Sequence, residues 1–216
     1  MVDERPFYVH PDDPPSKQAI LAAALDLFAS RGVAGTTLRN IAEKSGFTNP
    51  ALFRFFDGKD DLALFLFRRC YERLSRELSS ALAPGSAFAD NLRHVINHFA
   101  SFVDRHPAAF LYVQDNLRHF WPRVPEQERQ MSVISLTRRL IGQGIAEGVV
   151  AGDVPVDLLV ATIAGLLAQV ARLRYFGEIA ELASVTDELY RVACRAVLCD
   201  GARQAPTTVQ AAPRTA

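Results

Sequence analysis

The chain has little cysteine. Cys70, Cys194 and Cys199 are odd in number and show no CxxC spacing, which suits reduced thiols acting as small hydrophobes better than a disulfide framework. Net charge is also missing, since 24 Lys and Arg balance 24 Asp and Glu. The chain as a whole therefore projects no steering field toward nucleic acid or a membrane. Long apolar runs are scarce: the longest, Leu158 to Ala168, is about half of the roughly 20 residues a membrane span requires. No basic, apolar leader precedes a cleavage site, so the expectation is a cytoplasmic protein with no membrane partner. Glycine loops that cradle phosphate, nucleophile elbows and carboxylate-rich helix pairs are all lacking, and neither a cofactor nor enzymatic activity is expected. His94 and His98 stand at metal-ligand spacing, but HVINH lacks the glutamate of a zinc protease. Asn91, His94, His98, Ser101 and Arg105 continue as one polar stripe, which favours a solvated face over a metal site.

Hydrophobic residues make up 49% of the chain and strand signals are nearly absent, so the expected class is all-α. Ile20, Ala23, Ala24, Leu27 and Phe28 put an apolar stripe on a helix from Ser16 to Arg31, closed by Gly32. A long helix opens at Asp57-Gly58-Lys59 and runs to Leu82. Further helices are expected from Phe88 to the His106-Pro107 break, on to His119, from Glu126 to Glu147, from Pro155 to Phe176 and from Val185 to Cys199. Trp121 to Pro125 reads as a rigid turn. Residues 1–15 are acidic and proline-rich and residues 201–216 rich in Ala, Pro and Thr, so both are expected to be disordered.

Residues 37 to 56, TLRNIAEKSGFTNPALFRFF, carry the clearest functional signal. Leu38, Ile41 and Ala42 lie at helical spacing behind Thr37, a hydroxyl suited to an N-cap, and Gly46 supplies the left-handed residue that ends the helix. A second short helix opens at Thr48, tolerates Pro50 in its first turn and buries Leu52 and Phe56. Two short amphipathic helices joined by a glycine turn describe a helix-turn-helix, the usual way to place a helix in DNA. From Leu38 to Lys59, Arg39, Lys44, Arg54 and Lys59 oppose only Glu43 and Asp57, a local positive excess.

With its flanks the segment reads KQAILAAALDLFASRGVAGTTLRNIAEKSG and then FTNPALFRFFDGKDDL, and over residues 16 to 62 it resembles the TetR/AcrR family of bacterial regulators. The resemblance implies a three-helix DNA-binding domain over 16–58, a helical ligand-binding and dimerisation bundle over 59–200, and about nine helices in all. It implies a homodimer on a palindromic operator and repression relieved by a small effector. It places Thr37, Thr48 and Lys59 on phosphates, and Asn49, Pro50 and Arg54 on or near base edges, with Arg39 adding positive charge. Where many members have a tyrosine this chain has Phe53, and Phe55 replaces a frequent histidine. Phe53 either packs inward or meets a thymine methyl or sugar.

In the second half, Ala161, Ala164, Gly165, Ala168 and Ala171 recur at three- and four-residue steps. Small residues let helices approach closely. Paired with Val185, Leu189, Val192, Ala193 and Ala196 of the last helix, this stripe suits a four-helix dimer interface or packing within one subunit. Phe99, Phe102, Phe110, Tyr112, Phe120 and Trp121, with Gln114, Gln143 and Gln169, could line an apolar pocket for an apolar or aromatic effector. Aromatics at helical spacing are more often plain core, and as a set these suggest an apolar or aromatic effector. The functional expectation is a ligand-released repressor, and the alternative is a helical sensing or partner-binding module.

Overall fold

Capping chemistry and helical periodicity set the element order of this computed structural model, which describes residues 6–199. The helices are α1 (Pro15–Arg31), α2 (Leu38–Ser45), α3 (Asn49–Phe53), α4 (Lys59–Ser80), α5 (Phe88–Arg105), α6 (Pro107–Phe120), the single turn α7 (Glu126–Arg129), α8 (Val133–Ala146), α9 (Val156–Tyr175) and α10 (Thr186–Val197). Short 3₁₀ turns occupy Trp121–Arg123 and Leu182–Val185. Among the described residues the only β pairing is an isolated bridge, Val150 to Leu198. It is held by Ala151 N–H on the Val197 carbonyl at 3.1 Å and Cys199 N–H on the Val149 carbonyl at 3.0 Å, clipping the end of α10 to the α8–α9 loop.

Two expectations need correction here. The helix expected from Glu126 to Glu147 breaks after Arg129, because Ser132 adopts an extended conformation and its hydroxyl accepts from Ser135 N–H at 3.1 Å. A serine offers the backbone this cap in competition with a continuous helix. The leader expected to be disordered is placed from residue 6 onward: Val9 is buried, and Phe7 packs edge-on to His106 at 4.7 Å and against Phe102 at 6.0 Å. Those two apolar anchors outweigh the acidic, proline-rich composition around them. Residues 1–5 and the expected tail 201–216 lie outside the described residues.

Two apolar cores form, and they do not divide at residue 58. The first joins α1, α2 and α3 to the N-terminal half of α4 through Leu62, Ala63, Leu66 and Phe67, and to α6 through Ala109, Tyr112, Val113 and Phe120. Tyr112 stacks on Phe28 at 5.7 Å and donates to the Ala63 carbonyl at 2.7 Å, locking α6 onto both α1 and α4. The second core takes Leu74 and Leu78 from the far half of α4 and adds α5, α8, α9 and α10. α4 is thus shared by both.

Close approach is strictest at Gly144, where a Cβ would lie 2.3 Å from Val150 Cγ2 and 2.8 Å from Phe88 Cδ2. Asp104 fixes the far end of the second core, its carboxylate accepting from Leu182 N–H at 3.0 Å, Ala183 N–H at 2.9 Å and Arg174 Nε at 2.9 Å. Burial alone would raise this carboxyl, but the two N–H groups and the guanidinium together hold it below the usual aspartate range.

Gly144→Ala should destabilise the chain. Helix propensity gains about 1 kcal/mol but overpacking costs about 1 to 3, so a lower urea midpoint is expected. Because folding depresses the Asp104 pKa, its stabilisation is full above the unfolded value near 3.8 and lost as pH falls through the lower folded one. Asp104→Asn should therefore cost about 1 to 3 kcal/mol at neutral pH and blunt the acid limb of the unfolding-midpoint profile.

Candidate nucleic-acid interface

The turn between α1 and α2 is built around close backbone contacts. Gly32 takes φ +73°, and a Cβ at Gly35 would lie 2.4 Å from the Arg31 carbonyl oxygen. Thr36 is fully buried and its hydroxyl donates to the Gly32 carbonyl at 2.9 Å. Lys59, first residue of α4, drives its ammonium into this turn and donates to the carbonyls of Val33 and Thr36, both at 2.7 Å. Lys59, expected on a phosphate, directs two of its three N–H donors at protein carbonyls 26 and 23 residues away in sequence, a contact that fastens α4 to the α1–α2 turn.

Thr37 is exposed, but its hydroxyl is also engaged: it accepts from Asn40 N–H at 3.1 Å and donates to Asn40 Oδ1 at 2.8 Å, while Thr37 N–H donates back to Asn40 at 3.0 Å. The reciprocal cap holds α2 in place and leaves Thr37 little free hydrogen-bonding capacity. Gly46, at φ +75° and ψ +15°, turns the chain toward α3. There Thr48 caps by backbone geometry with no side-chain bond, so its hydroxyl is available, and Thr48, Asn49, Pro50, Phe53 and Arg54 are all exposed. α3 ends earlier than the sequence pattern suggests, because Phe55 N–H and Phe56 N–H both turn back to the Leu52 carbonyl at 3.0 and 3.1 Å. Leu52 and Phe56 are buried, whereas Phe53 is 56% exposed and does not pack inward.

The free charges are few. Lys44 pairs with Asp26 of α1, and Arg39 pairs with Glu43 at 2.8 Å in a largely solvated contact that gives way easily to a stronger anion. Arg54 has no acidic partner among the described residues. A guanidinium with five donors beside an amide, a hydroxyl and an exposed ring is chemically suited to base edges and thymine methyls. Phe47 was not expected here. It stands 38% exposed just before Thr48, and as a single aromatic in a loop it carries no periodic signal.

The aromatic set expected to line a pocket is packed core. Phe99, Phe102 and Phe110 belong to the second core, with Phe99 edge-on to Phe110 at 5.3 Å, and Tyr112 and Phe120 belong to the first. Trp121 is half-buried against Tyr71 at 4.9 Å, Gln114 is half-buried and Gln169 is exposed. Gln143 does border a cavity of about 340 Å³ near Pro84-Gly85, but its amide is spent holding that loop, donating to the Ser86 carbonyl at 2.7 Å and accepting from Asn91 at 3.0 Å. The expected dimer residues divide. Ala161, Gly165, Val192 and Ala196 are exposed, Ala164, Ala168 and Val185 half-buried, and Ala171, Leu189 and Ala193 buried within the subunit. Leu158 and Phe176, 60% and 64% exposed, extend the outward stripe on and just beyond α9.

A sequence model of bacterial regulatory proteins of the tetR family matches residues 20–65. The HTH-type transcriptional repressor KstR2 of Rhodococcus jostii is 25% identical over 144 residues, covering 64% of this chain and 70% of that protein. An HTH-type transcriptional repressor of Mycobacterium tuberculosis is 44% identical over 62 residues, 29% of this chain and 33% of its own length. A TetR-like transcriptional regulator from Rhodococcus sp. RHA1 superposes with a TM-score of 0.69 at 26% identity, covering 83% of this chain and 94% of that one. The fold also matches KstR2 of Mycobacterium tuberculosis with a TM-score of 0.73 at 19% identity, covering 88% of this chain and 98% of that one. The helix-turn-helix on α2 and α3, its exposed polar face and these matches agree: residues 20–65 carry a tetR-family regulatory segment, and the chain is similar in sequence and fold to TetR-like transcriptional regulators.

Proposed function

We propose that this chain is a homodimeric repressor that places α3 in successive major grooves of a palindromic operator and is released from it by a small-molecule effector. The observation that carries the reading is the uncommitted face of Thr48, Asn49, Phe53 and Arg54, exposed together while neighbouring Lys44 and Lys59 are engaged within the protein. Two such faces related by a two-fold axis would have to stand about 34 to 36 Å apart to meet one side of the duplex. The outward apolar stripe of Leu158, Ala161, Gly165 and Phe176, beside Val192 and Ala196 of α10, supports pairing through α9 and α10. Repression is favoured because the KstR2 relatives are named repressors. Such a regulator works in the cytoplasm, where its operator is.

Gel shifts with the DNA upstream of the gene test the reading. Wild-type affinity should fall about 10³- to 10⁵-fold between 50 and 200 mM salt. Arg54→Ala should lose roughly 5- to 150-fold in sequence discrimination. A variant that keeps full discrimination would remove Arg54 from the base contacts. Lys59→Met separates clamp from phosphate contact: thermal stability should drop with the salt slope unchanged, whereas a phosphate-bound lysine would reduce that slope by about 1.

Gly165→Leu tests the dimer. A Cβ at Gly165 meets nothing within 4 Å, so a larger side chain is tolerated inside the subunit and hinders only a partner pressed against the helix. Sedimentation should show a shift toward monomer with helicity intact, and an unaltered dimer would place the interface elsewhere.

A further inference from the structure

The outer side of α4 holds a cavity of about 630 Å³, closed on its far wall by Val124 and the α7–α8 junction, within the size range of small-molecule sites. None of the aromatic set expected from the sequence lines it. Its floor is apolar: Phe65 and Tyr71 of α4, with Val124 and Met131 opposite. Its rim is cationic, formed by the adjacent Arg68 and Arg69 and by Arg76 about two turns further along α4.

Those cations are weakly committed. Arg68 pairs across the opening with Glu128 of α7, and both side chains are more than 40% exposed. Arg76 bonds Glu72 at 2.6 Å, and Arg69 lies 3.9 Å from that same carboxylate, so one anion serves two guanidiniums. At the base lies the buried hydroxyl of Ser75, beside the hydroxyl of Tyr71.

We propose that this cavity is the effector site and that it takes an amphipathic anion, an apolar body carrying one carboxylate or phosphate. The inference rests on the ligand-released reading above and names its site and ligand class. The apolar body lies on Phe65, Tyr71, Val124 and Met131. The anionic head takes Arg68 from Glu128, exchanging one two-bond guanidinium–carboxylate pair for another whose anion is also held by its apolar body. Glu128 is thereby released, and α7 with it. α4 is the element that moves in response, and its first residue, Lys59, holds the turn from which α2 and α3 are hung.

Calorimetry on the full chain, with probes below their micelle concentrations, tests the proposal. Dodecanoate and dodecyl phosphate are the anionic arms, separating a carboxylate from a phosphate head, and 1-dodecanol is the neutral control. The anions should bind and the alcohol should bind at least tenfold more weakly. Arg68→Ala should weaken anion binding roughly 10- to 100-fold. Glu128→Gln should tighten it, a direction that damage to the fold cannot produce, and Met131→Trp should block it. Equal binding of alcohol and anion, or no response to Arg68→Ala and Glu128→Gln, overturns the site. Anion binding that leaves operator affinity unchanged in a parallel gel shift supports the site but removes the ligand-released reading. Release by a neutral compound with no anion binding does the reverse.

Discussion

The ammonium of Lys59 is the contact on which the rest of the arrangement depends. Three short helices of this size cannot bury enough apolar surface to stand alone, and the reading head takes its rigidity from α4 and α6. Side-chain packing by Leu62, Ala63, Phe67 and Tyr112 supplies the adhesion. Packing is non-directional, however, and does not by itself fix an angle. Two charge-assisted bonds of 2.7 Å onto the Val33 and Thr36 carbonyls do. They work because Gly32 and Gly35 let that turn fold tightly and the buried Thr36 hydroxyl keeps it closed.

α4 therefore serves three surfaces at once. Its first turn holds the head, and Asp60 beside it is anchored to Arg123 at 2.7 Å, a bond that with the nearby His119 keeps the carboxyl below its usual range despite some burial. Its middle presents Tyr71, whose hydroxyl accepts from Val133 N–H at 3.1 Å where α8 begins. Its last turns enter the second core through Leu74 and Leu78. A shift of α4 cannot be absorbed at one end without disturbing the other, because packed interiors repack between discrete arrangements rather than deform smoothly. The break between α7 and α8 matters for the same reason. It leaves α7 as a single turn facing α4, tied to that helix by the Arg68–Glu128 pair.

The sequence conveyed whatever depends on neighbours a few residues apart. Thr37 as a cap, Gly46 as a left-handed stop, Leu52 and Phe56 as buried anchors and the limits of α1, α5 and α9 follow from local propensity and spacing. What it hid depends on distant partners. Lys59 reads as a surface cation until the turn 23 to 26 residues upstream is in place. Phe99, Phe110 and Phe120 have the composition of a pocket, and only packing reveals that Phe99 and Phe110 fill each other's space while Phe120 packs on Phe67 in the other core. The cavity on α4 was missed because its arginines are at ordinary surface spacing and its opposite wall comes from residues 124 to 131. Alanines at i, i+3 and i+4 cannot say which side of a helix they face when both sides are apolar. Hence Ala171 and Ala193 proved internal and Ala161 and Ala196 external.

That ambiguity in α9 has a physical resolution. The helix is 20 residues long, an 18-residue window reaches a mean hydropathy of 1.7, and only 28% of that window is buried, so by length and composition it could cross a membrane. Its ends argue otherwise. Asp157 is bound to Arg138 of α8 at 2.7 Å, Arg172 to Asp115 of α6 at 2.8 Å and Arg174 to Asp104 of α5 at 2.9 Å. Insertion would strip those pairs from partners in polar surroundings and drag α5, α6 and α8 with the helix, or else leave charges unpaired in hydrocarbon. Leu159, Val160, Ile163, Leu167 and Ala171 already hold its inner side in the second core. The exposed remainder runs through Leu158, Ala161, Thr162, Gly165, Gln169 and Leu173 to Phe176 just beyond the helix, large apolar residues at its ends with small and polar ones between, a surface a second helix can lie against. An apolar helix pinned at both ends by ion pairs to its own subunit calls for a protein partner on its open face, and an identical subunit related by a two-fold axis would bring an identical stripe.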